Sequence, residues 1–196
     1  MKTKERIIKE AFEQFTIKGY EGTSMFDISN AVGISKSTMY SHFKDKESLY
    51  CGVLQNCVDV WESIVADKVL KYNDDLSPDE KLYNIYKGLI EISAQNRDIV
   101  QFWKRAKYFP PASIDIHSLI GKQSDLYITL IQSVFEEGIR RKVFKDLKPV
   151  DLTINLICLI EGIQLFLLRN NDYSNQMYIG WKNFCNEVAV ENIPVQ

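Results

Sequence analysis

The window from Thr23 to Lys46, Thr-Ser-Met-Phe-Asp-Ile-Ser-Asn-Ala-Val-Gly-Ile-Ser-Lys-Ser-Thr-Met-Tyr-Ser-His-Phe-Lys-Asp-Lys, constrains the fold more than any other part of the chain. Ile28, Val32, Ile34, Met39 and Phe43 recur at spacings that give two short helices a shared apolar side. Ser29 is small where those helices must approach. Gly33 falls in the turn, where positive φ is wanted and a Cβ would be penalised. Ser35 follows as an N-cap, its hydroxyl oxygen available to an orphan amide of the next helix. That helix carries Lys36, Ser37, Thr38, Tyr40, Ser41 and His42, a polar, hydroxyl-rich set with a cation at its start. Phosphate oxygens and base edges suit such a surface better than a core does. The window therefore predicts a helix-turn-helix with a DNA-recognition helix. The competing reading is an ordinary corner in an all-α protein, since glycine joins helices in many contexts.

The rest of the chain extends the all-helical pattern. Thr3 is placed to cap a first helix through Ile7, Ile8, Ala11, Phe12 and Phe15, ending at Gly19; Thr23 caps the second helix and Ser35 the third. Asp45 caps a long fourth helix running to about Leu70. Ser77-Pro78-Asp79-Glu80 opens a fifth, with a cap, a proline in the first turn and acids favourable to the dipole. A sixth, from about Asp98 to Tyr108, is stopped by Pro110-Pro111. A seventh runs from about Ser113 to Arg141, Lys148-Pro149 opens an eighth, and Tyr173 or Ser174 starts a ninth. No alternating strand pattern emerges. The expected architecture is an N-terminal three-helix head, residues 1–46, followed by a helical bundle, residues 47–196.

Charge and cysteine usage narrow the function classes. The net charge of -2 excludes a protein coated with cations for indiscriminate nucleic-acid binding. Residues 1–50 hold eight Lys/Arg and seven Asp/Glu, while the remainder nets negative, so the head is only weakly basic and its affinity must depend on two copies and on salt. Cys51, Cys57, Cys158 and Cys185 form no CxxC pair and have no histidines at ligand spacing, which predicts reduced thiols and no metal site. The charged opening Met-Lys-Thr-Lys-Glu-Arg predicts no signal peptide, and no apolar run is expected to span a bilayer. An intracellular chain without a membrane partner is expected.

The eighth helix is unusual, since Glu161, Gly162 and Gln164 alone interrupt its apolar character between Leu156 and Leu168. A helix apolar all round is covered on all sides. A domain of this size has little interior to spare, so a second copy is expected to cover one face, through Leu156, Ile160, Ile163 and Leu167 with Tyr178, Trp181 and Phe184 of the ninth helix.

The first fifty residues resemble the TetR family of bacterial transcriptional regulators. The resemblance rests on Ile8, Ala11, Phe15, Gly19 and Tyr20; Thr23; Asp27-Ile28; Val32-Gly33-Ile34-Ser35; Thr38 and Tyr40; His42-Phe43; and Lys44-Asp45-Lys46-Glu47-Ser48-Leu49. The rest matches only in length, helical character and the segment Glu137-Gly138-Ile139-Arg140-Arg141 to Phe144-Lys145-Asp146. The resemblance implies that Thr23, Ser24, Ser35, Lys36, Ser37, Thr38, Tyr40, Ser41, His42 and Lys46 face DNA. Lys36, Ser37 and Thr38 would enter the major groove, Lys46 would reach a phosphate, and Thr23 and Ser24 would favour an anion by cap and dipole. Phe26 departs from the pattern, standing where several relatives carry a polar residue; it packs against the first helix or touches a thymine methyl.

The resemblance further implies a small-molecule pocket in the second half. Trp61, Tyr86, Phe102, Trp103, Tyr127 and Gln164 are the candidates to line it, with His117 a further polar one. The function expected is a homodimeric repressor, released from a double-stranded DNA operator by an unknown small-molecule effector, with no cofactor. The alternative is an all-α ligand carrier or enzyme without DNA binding. With only two histidines, no nucleophile elbow and no phosphate loop in the sequence, an enzyme is not expected.

Overall fold

The computed structural model describes residues 2–69, 75–170 and 172–190, without the side chains of residues 117, 119, 120 and 122–126. Among the described residues the chain forms helices α1 Thr3–Lys18, α2 Met25–Val32, α3 Lys36–His42, α4 Lys46–Lys68, α5 Pro78–Gln95, α6 Arg97–Tyr108, α7 Ile116–Arg140, α8 Pro149–Leu167 and α9 Ser174–Val188. No strand appears among them, only an isolated antiparallel bridge between Phe144 and Ala189. The fold is all-α.

The helix starts follow local chemistry. The Ser35 hydroxyl accepts the Thr38 amide at 3.1 Å, as its N-cap position requires. Asp45 and Ser48 cap α4 reciprocally, the Ser48 amide reaching Asp45 Oδ1 at 2.7 Å and the Asp45 amide reaching Ser48 Oγ at 3.1 Å. Hydrogen bonding of the ionised form by the Ser48 amide, and then by the Ser48 side chain, holds the Asp45 carboxyl below the ordinary carboxylate range. Glu80 reaches back to the Ser77 amide at 2.8 Å, with Pro78 in the first turn of α5.

Two caps differ from the sequence reading. Thr3 is already helical, and its expected role passes to Lys2, whose amide is taken by the Glu5 carboxylate at 2.9 Å. The α2 cap is Ser24, not Thr23. Thr23 is buried and its hydroxyl donates to the Gly19 carbonyl at 2.8 Å, tightening the loop before the helix. α7 starts at Ile116 rather than Ser113. The expected end of α4 at Leu70 lies outside the described residues.

The described residues divide into two compact units, Met1–Glu62 with Asp98–Gly121, and Ser63–Arg97 with Lys122–Gln196. In the first, Ile7, Ala11, Phe15, Ile28, Met39, Leu49 and Val53 form the centre of the core. α6 contributes to this same core. Phe102 lies 5.5 Å from Phe12 and 5.4 Å from Tyr50, ring centre to ring centre. Arg105 donates to the Thr16 carbonyl at 3.2 Å.

The second unit packs α5 against α8 and α9. Tyr86 lies 5.2 Å from Trp181 and donates its hydroxyl to the Met177 carbonyl at 2.7 Å. Gln164 donates to the Ser93 hydroxyl at 2.9 Å, so the polar group buried in α8 has a partner on α5. Gly138 leaves the space into which the Phe144 ring fits; a Cβ there would stand 2.2 Å from that ring. Lys81 and Glu137 form an ion pair at 3.1 Å.

α8 corrects two expectations. It is long and apolar enough, by length and composition, to cross a membrane, contrary to the reading that no such run exists. Leu156, Ile160, Ile163 and Leu167 are buried within the protomer, as is Trp181 of α9. They form the inner side of the unit rather than the face left for a second copy, and Phe184 is half-buried against Trp181 and Phe135. Of the residues expected at that interface, only Tyr178 is exposed. Ile154, Leu165 and Phe166, on the other side of α8, are exposed instead. Sequence showed that the whole circumference was apolar, but an all-round apolar helix carries no signal of which side turns inward.

Candidate nucleic-acid interface

The head places α3 by three devices. Gly33 adopts left-handed backbone, φ 72 and ψ 41, and ends α2 with its amide on the Asn30 carbonyl. The Ile34 amide returns to the Ser29 carbonyl at 3.0 Å, fixing the chain direction into α3. Met39, 0% exposed, then pins the helix to the core beneath it. The Arg6 guanidinium adds a bond from α1 to the Val32 carbonyl.

With Met39 inward, the outer side of α3 is set by helical spacing. Ser35, Lys36, Ser37, Tyr40, Ser41 and His42 are all exposed and Thr38 is half-buried. Their hydroxyls are linked: Ser35 Oγ lies 2.8 Å from Ser37 Oγ and 2.9 Å from Thr38 Oγ1, and Ser41 donates to the Thr38 carbonyl at 2.7 Å. The Lys36 ammonium sits 5.8 Å from the centre of the Tyr40 ring, and Tyr40 is 45% exposed. The result is a short surface of hydroxyls, one phenol, one imidazole and one ammonium on a rigid base. Such groups can donate to phosphates and to base edges from a fixed register.

Three expected contact residues are placed differently. Thr23 is inside, as described above. Lys46 donates to the Tyr20 carbonyl at 2.8 Å and the Thr23 carbonyl at 3.2 Å, with its ammonium 4.1 Å from the Tyr20 ring centre. It closes the α1–α2 loop onto α4, rather than standing free to reach a phosphate. Ser24 is exposed, but its hydroxyl accepts the Asp27 amide at 3.0 Å and donates to the Asp27 carboxylate at 2.7 Å. The anion expected at the start of α2 is therefore supplied by the protein's own side chain.

Sequence reasoning missed Lys4, whose ammonium lies 5.6 Å from the Phe43 ring centre and so adds charge beside the end of α3. Lys44 follows at the same end, with its side chain 91% exposed. No local pattern signals the Lys4 contact, because it joins residues far apart in sequence.

The residues expected in an effector pocket separate between the units. Trp61, Phe102 and Trp103 belong to the first and Tyr86, Tyr127 and Gln164 to the second. Phe102 is core, Trp103 packs against that core, and Tyr86 and Gln164 spend their polar atoms on protein partners. Trp61 and Tyr127 are half-buried. The His117 side chain lies outside the described residues. An open hollow of about 540 Å³ is lined by Ser63, Ile64, Ala66, Asp67 and Lys68, and none of the expected residues is among them. Burial raises the Cys57 and Cys185 thiols to about 12, which makes them packing groups rather than nucleophiles.

A three-helix head with a capped, outward-facing α3 is a helix-turn-helix domain. Residues 7–51 match the family model of the bacterial regulatory proteins of the tetR family. Among curated relatives, it is 33% identical over 90 residues to the biofilm operon icaADBC HTH-type negative transcriptional regulator IcaR of Staphylococcus epidermidis, covering 45% of this chain and 46% of that one. The IcaR of Staphylococcus aureus (strain Newman) is 39% identical over 62 residues, covering 32% and 33% of the two chains. The chain thus spans less than half the length of these relatives. Over nearly the whole length the fold is similar to a transcriptional regulator from Saccharomonospora viridis crystallised with choline, with TM-score 0.76, 21% identity and coverage of 96% and 98%. It is also similar to AibR in complex with isovaleryl coenzyme A and operator DNA, with TM-score 0.70, 17% identity and coverage of 94% and 97%.

Proposed function

We propose that the chain is a sequence-specific DNA-binding transcriptional regulator, a homodimeric repressor that leaves its operator when a small molecule binds. The observation that carries this reading is the outer face of α3, polar along its length and held by a fully buried Met39. The relatives named as negative transcriptional regulators support the direction of regulation, and neighbours crystallised with choline or with isovaleryl coenzyme A and operator DNA support an effector. Functionally we divide the chain at residue 46, with DNA reading before it and dimerisation and effector binding after it. The protein acts inside the cell, where its operator is, and performs no catalysis.

A second copy is supported by the outer side of α8. Between Ile154 and Phe166 its exposed residues are Ile154, Asn155, Cys158, Gly162, Leu165 and Phe166, none of them charged. Tyr178 and Ile179 of α9 are exposed apolar residues as well. A Cβ on Gly162 would meet open space, so nothing within the protomer requires a glycine there, and a partner helix can approach closely at that point. Two heads on one dimer then meet successive major grooves, about 34 Å apart.

The test is a mobility-shift titration of the DNA upstream of the chain's own gene against random duplex at physiological salt. Preferential binding of the upstream DNA is expected. Equal affinity for the two removes the repressor reading.

A further inference from the structure

We infer that Phe26 reads sequence, taking the 5-methyl group of a thymine at the flank of each half-site; the inference rests on the DNA-binding reading above. Phe26 lies in the first turn of α2, between buried Met25 and buried Ile28, and is 66% exposed. The core aromatics of its unit are paired: Phe15 with Tyr20 and Tyr50, and Phe12 with Phe102. Among the described residues no ring pairs with Phe26. At 66% exposure the ring is not packed into the fold, which sets aside the first of the two sequence-based alternatives, packing against the first helix. The fold gains little from a phenyl ring held in water, where apolar area is disfavoured by about 25 cal/mol per Å².

The polar chemistry of this helix start is closed off. Ser24 and Asp27 satisfy each other through two hydrogen bonds, and the Asp27 carboxylate repels a phosphate placed there. What α2 offers to a ligand at this end is apolar. In helix-turn-helix docking the first helix crosses the backbone beside the groove that the second enters, which puts the start of α2 at the edge of the site. The apolar group that a base pair displays in the major groove is the thymine methyl. A phenyl ring laid on it removes both surfaces from water without needing a donor. By contrast, the groups on α3, Lys36, Ser37 and Tyr40, suit acceptors on inner bases and phosphates. The head thus combines a polar reader and an apolar one on adjacent helices.

The experiment is a selection from a random 30-base-pair duplex library with the full-length chain, its Phe26→Ala and Phe26→Leu variants, and Lys36→Ala as a control. The selected site is then resynthesised with deoxyuridine, which lacks only the methyl, in place of the flanking thymines. Phe26 is exposed, so these variants keep the fold, and unchanged melting curves verify it. The wild type is expected to select a two-fold symmetric site with thymine at the flank of each arm. Phe26→Ala loses that preference while keeping the inner bases, Phe26→Leu retains part of it, and Lys36→Ala keeps the flank but alters inner positions. One deoxyuridine lowers wild-type affinity about fourfold, the worth of one buried methyl, and leaves Phe26→Ala unaffected. An unchanged thymine preference in Phe26→Ala, or equal wild-type affinity for deoxyuridine and thymine, overturns the assignment. Enrichment of no site at all overturns the DNA-binding reading and the assignment with it.

Discussion

The outer faces of α3 and α8 are both exposed helix surfaces, and they differ in the kind of partner they suit. α3 shows hydroxyls, a phenol, an imidazole and an ammonium above a single buried anchor, Met39. α8 shows Ile154, Cys158, Leu165 and Phe166 over a deeply buried inner row. A polar exposed face on a rigid base is compatible with water and gains a partner only where the partner's polar groups match it in register. An apolar exposed face is disfavoured in water whatever its register, and any apolar cover stabilises it. The first arrangement suits selective, reversible recognition of DNA, and the second suits a lasting contact with another copy.

The largest expected effect comes from charging the apolar face. Phe166→Glu should cost about 2–4 kcal/mol of association, the range for a truncated or mismatched hot spot. Sedimentation equilibrium should then report a single-chain mass, and duplex affinity should fall with it because one weakly basic head remains. A variant that stays a dimer would place the second copy on another surface.

Next comes a contrast between two lysines. Lys46→Met removes two charge-assisted bonds to the Tyr20 and Thr23 carbonyls and should lower stability by about 2 kcal/mol, read as a fall in Tm. Lys36→Ala should leave Tm unchanged and lower affinity for the selected duplex, with the preference at the inner bases relaxed. The reverse assignment, with Lys46 acting at phosphate and Lys36 on stability, would contradict the placement described above.

The smallest effect is electrostatic and lies in the second unit. Hydrogen bonds from Lys81 and then Arg141 hold the Glu137 carboxyl below its ordinary value. A lowered folded-state value stabilises at neutral pH, and that contribution disappears as pH falls through it. Glu137→Gln should therefore be less stable than wild type at about pH 7, and the difference should shrink toward about pH 3. Thermal melts across that range measure it; a constant difference would assign the effect to packing.

Much of α3 was legible before the structure because its determinants are local. Gly33, the Ser35 cap and the apolar spacing that ends in Met39 sit within a few residues of one another and act through backbone geometry that sequence encodes directly. The helix starts at Asp45 and Ser77 were legible for the same reason. The α2 cap was missed by one position, since Thr23 and Ser24 are both competent caps and only the loop bond to Gly19 decides between them. The inner and outer sides of α8 were not legible, because every side of that helix is apolar and the choice is made by α5 and α9. Lys46 and Phe102 failed for a related reason. Each has an exposed or ligand-facing role by type, and each is claimed by groups distant in sequence: two loop carbonyls for the lysine, and Phe12 and Tyr50 for the phenylalanine.

The most direct measurement is a hydroxyl-radical footprint of the full-length protein on a duplex selected by it. Two α3 faces carried by one dimer should protect two patches of backbone related by two-fold symmetry, with centres about one helical turn, roughly 34 Å, apart. A single protected patch, or protection spread evenly along the duplex, would contradict the pairing of a polar DNA-reading face with an apolar dimer face.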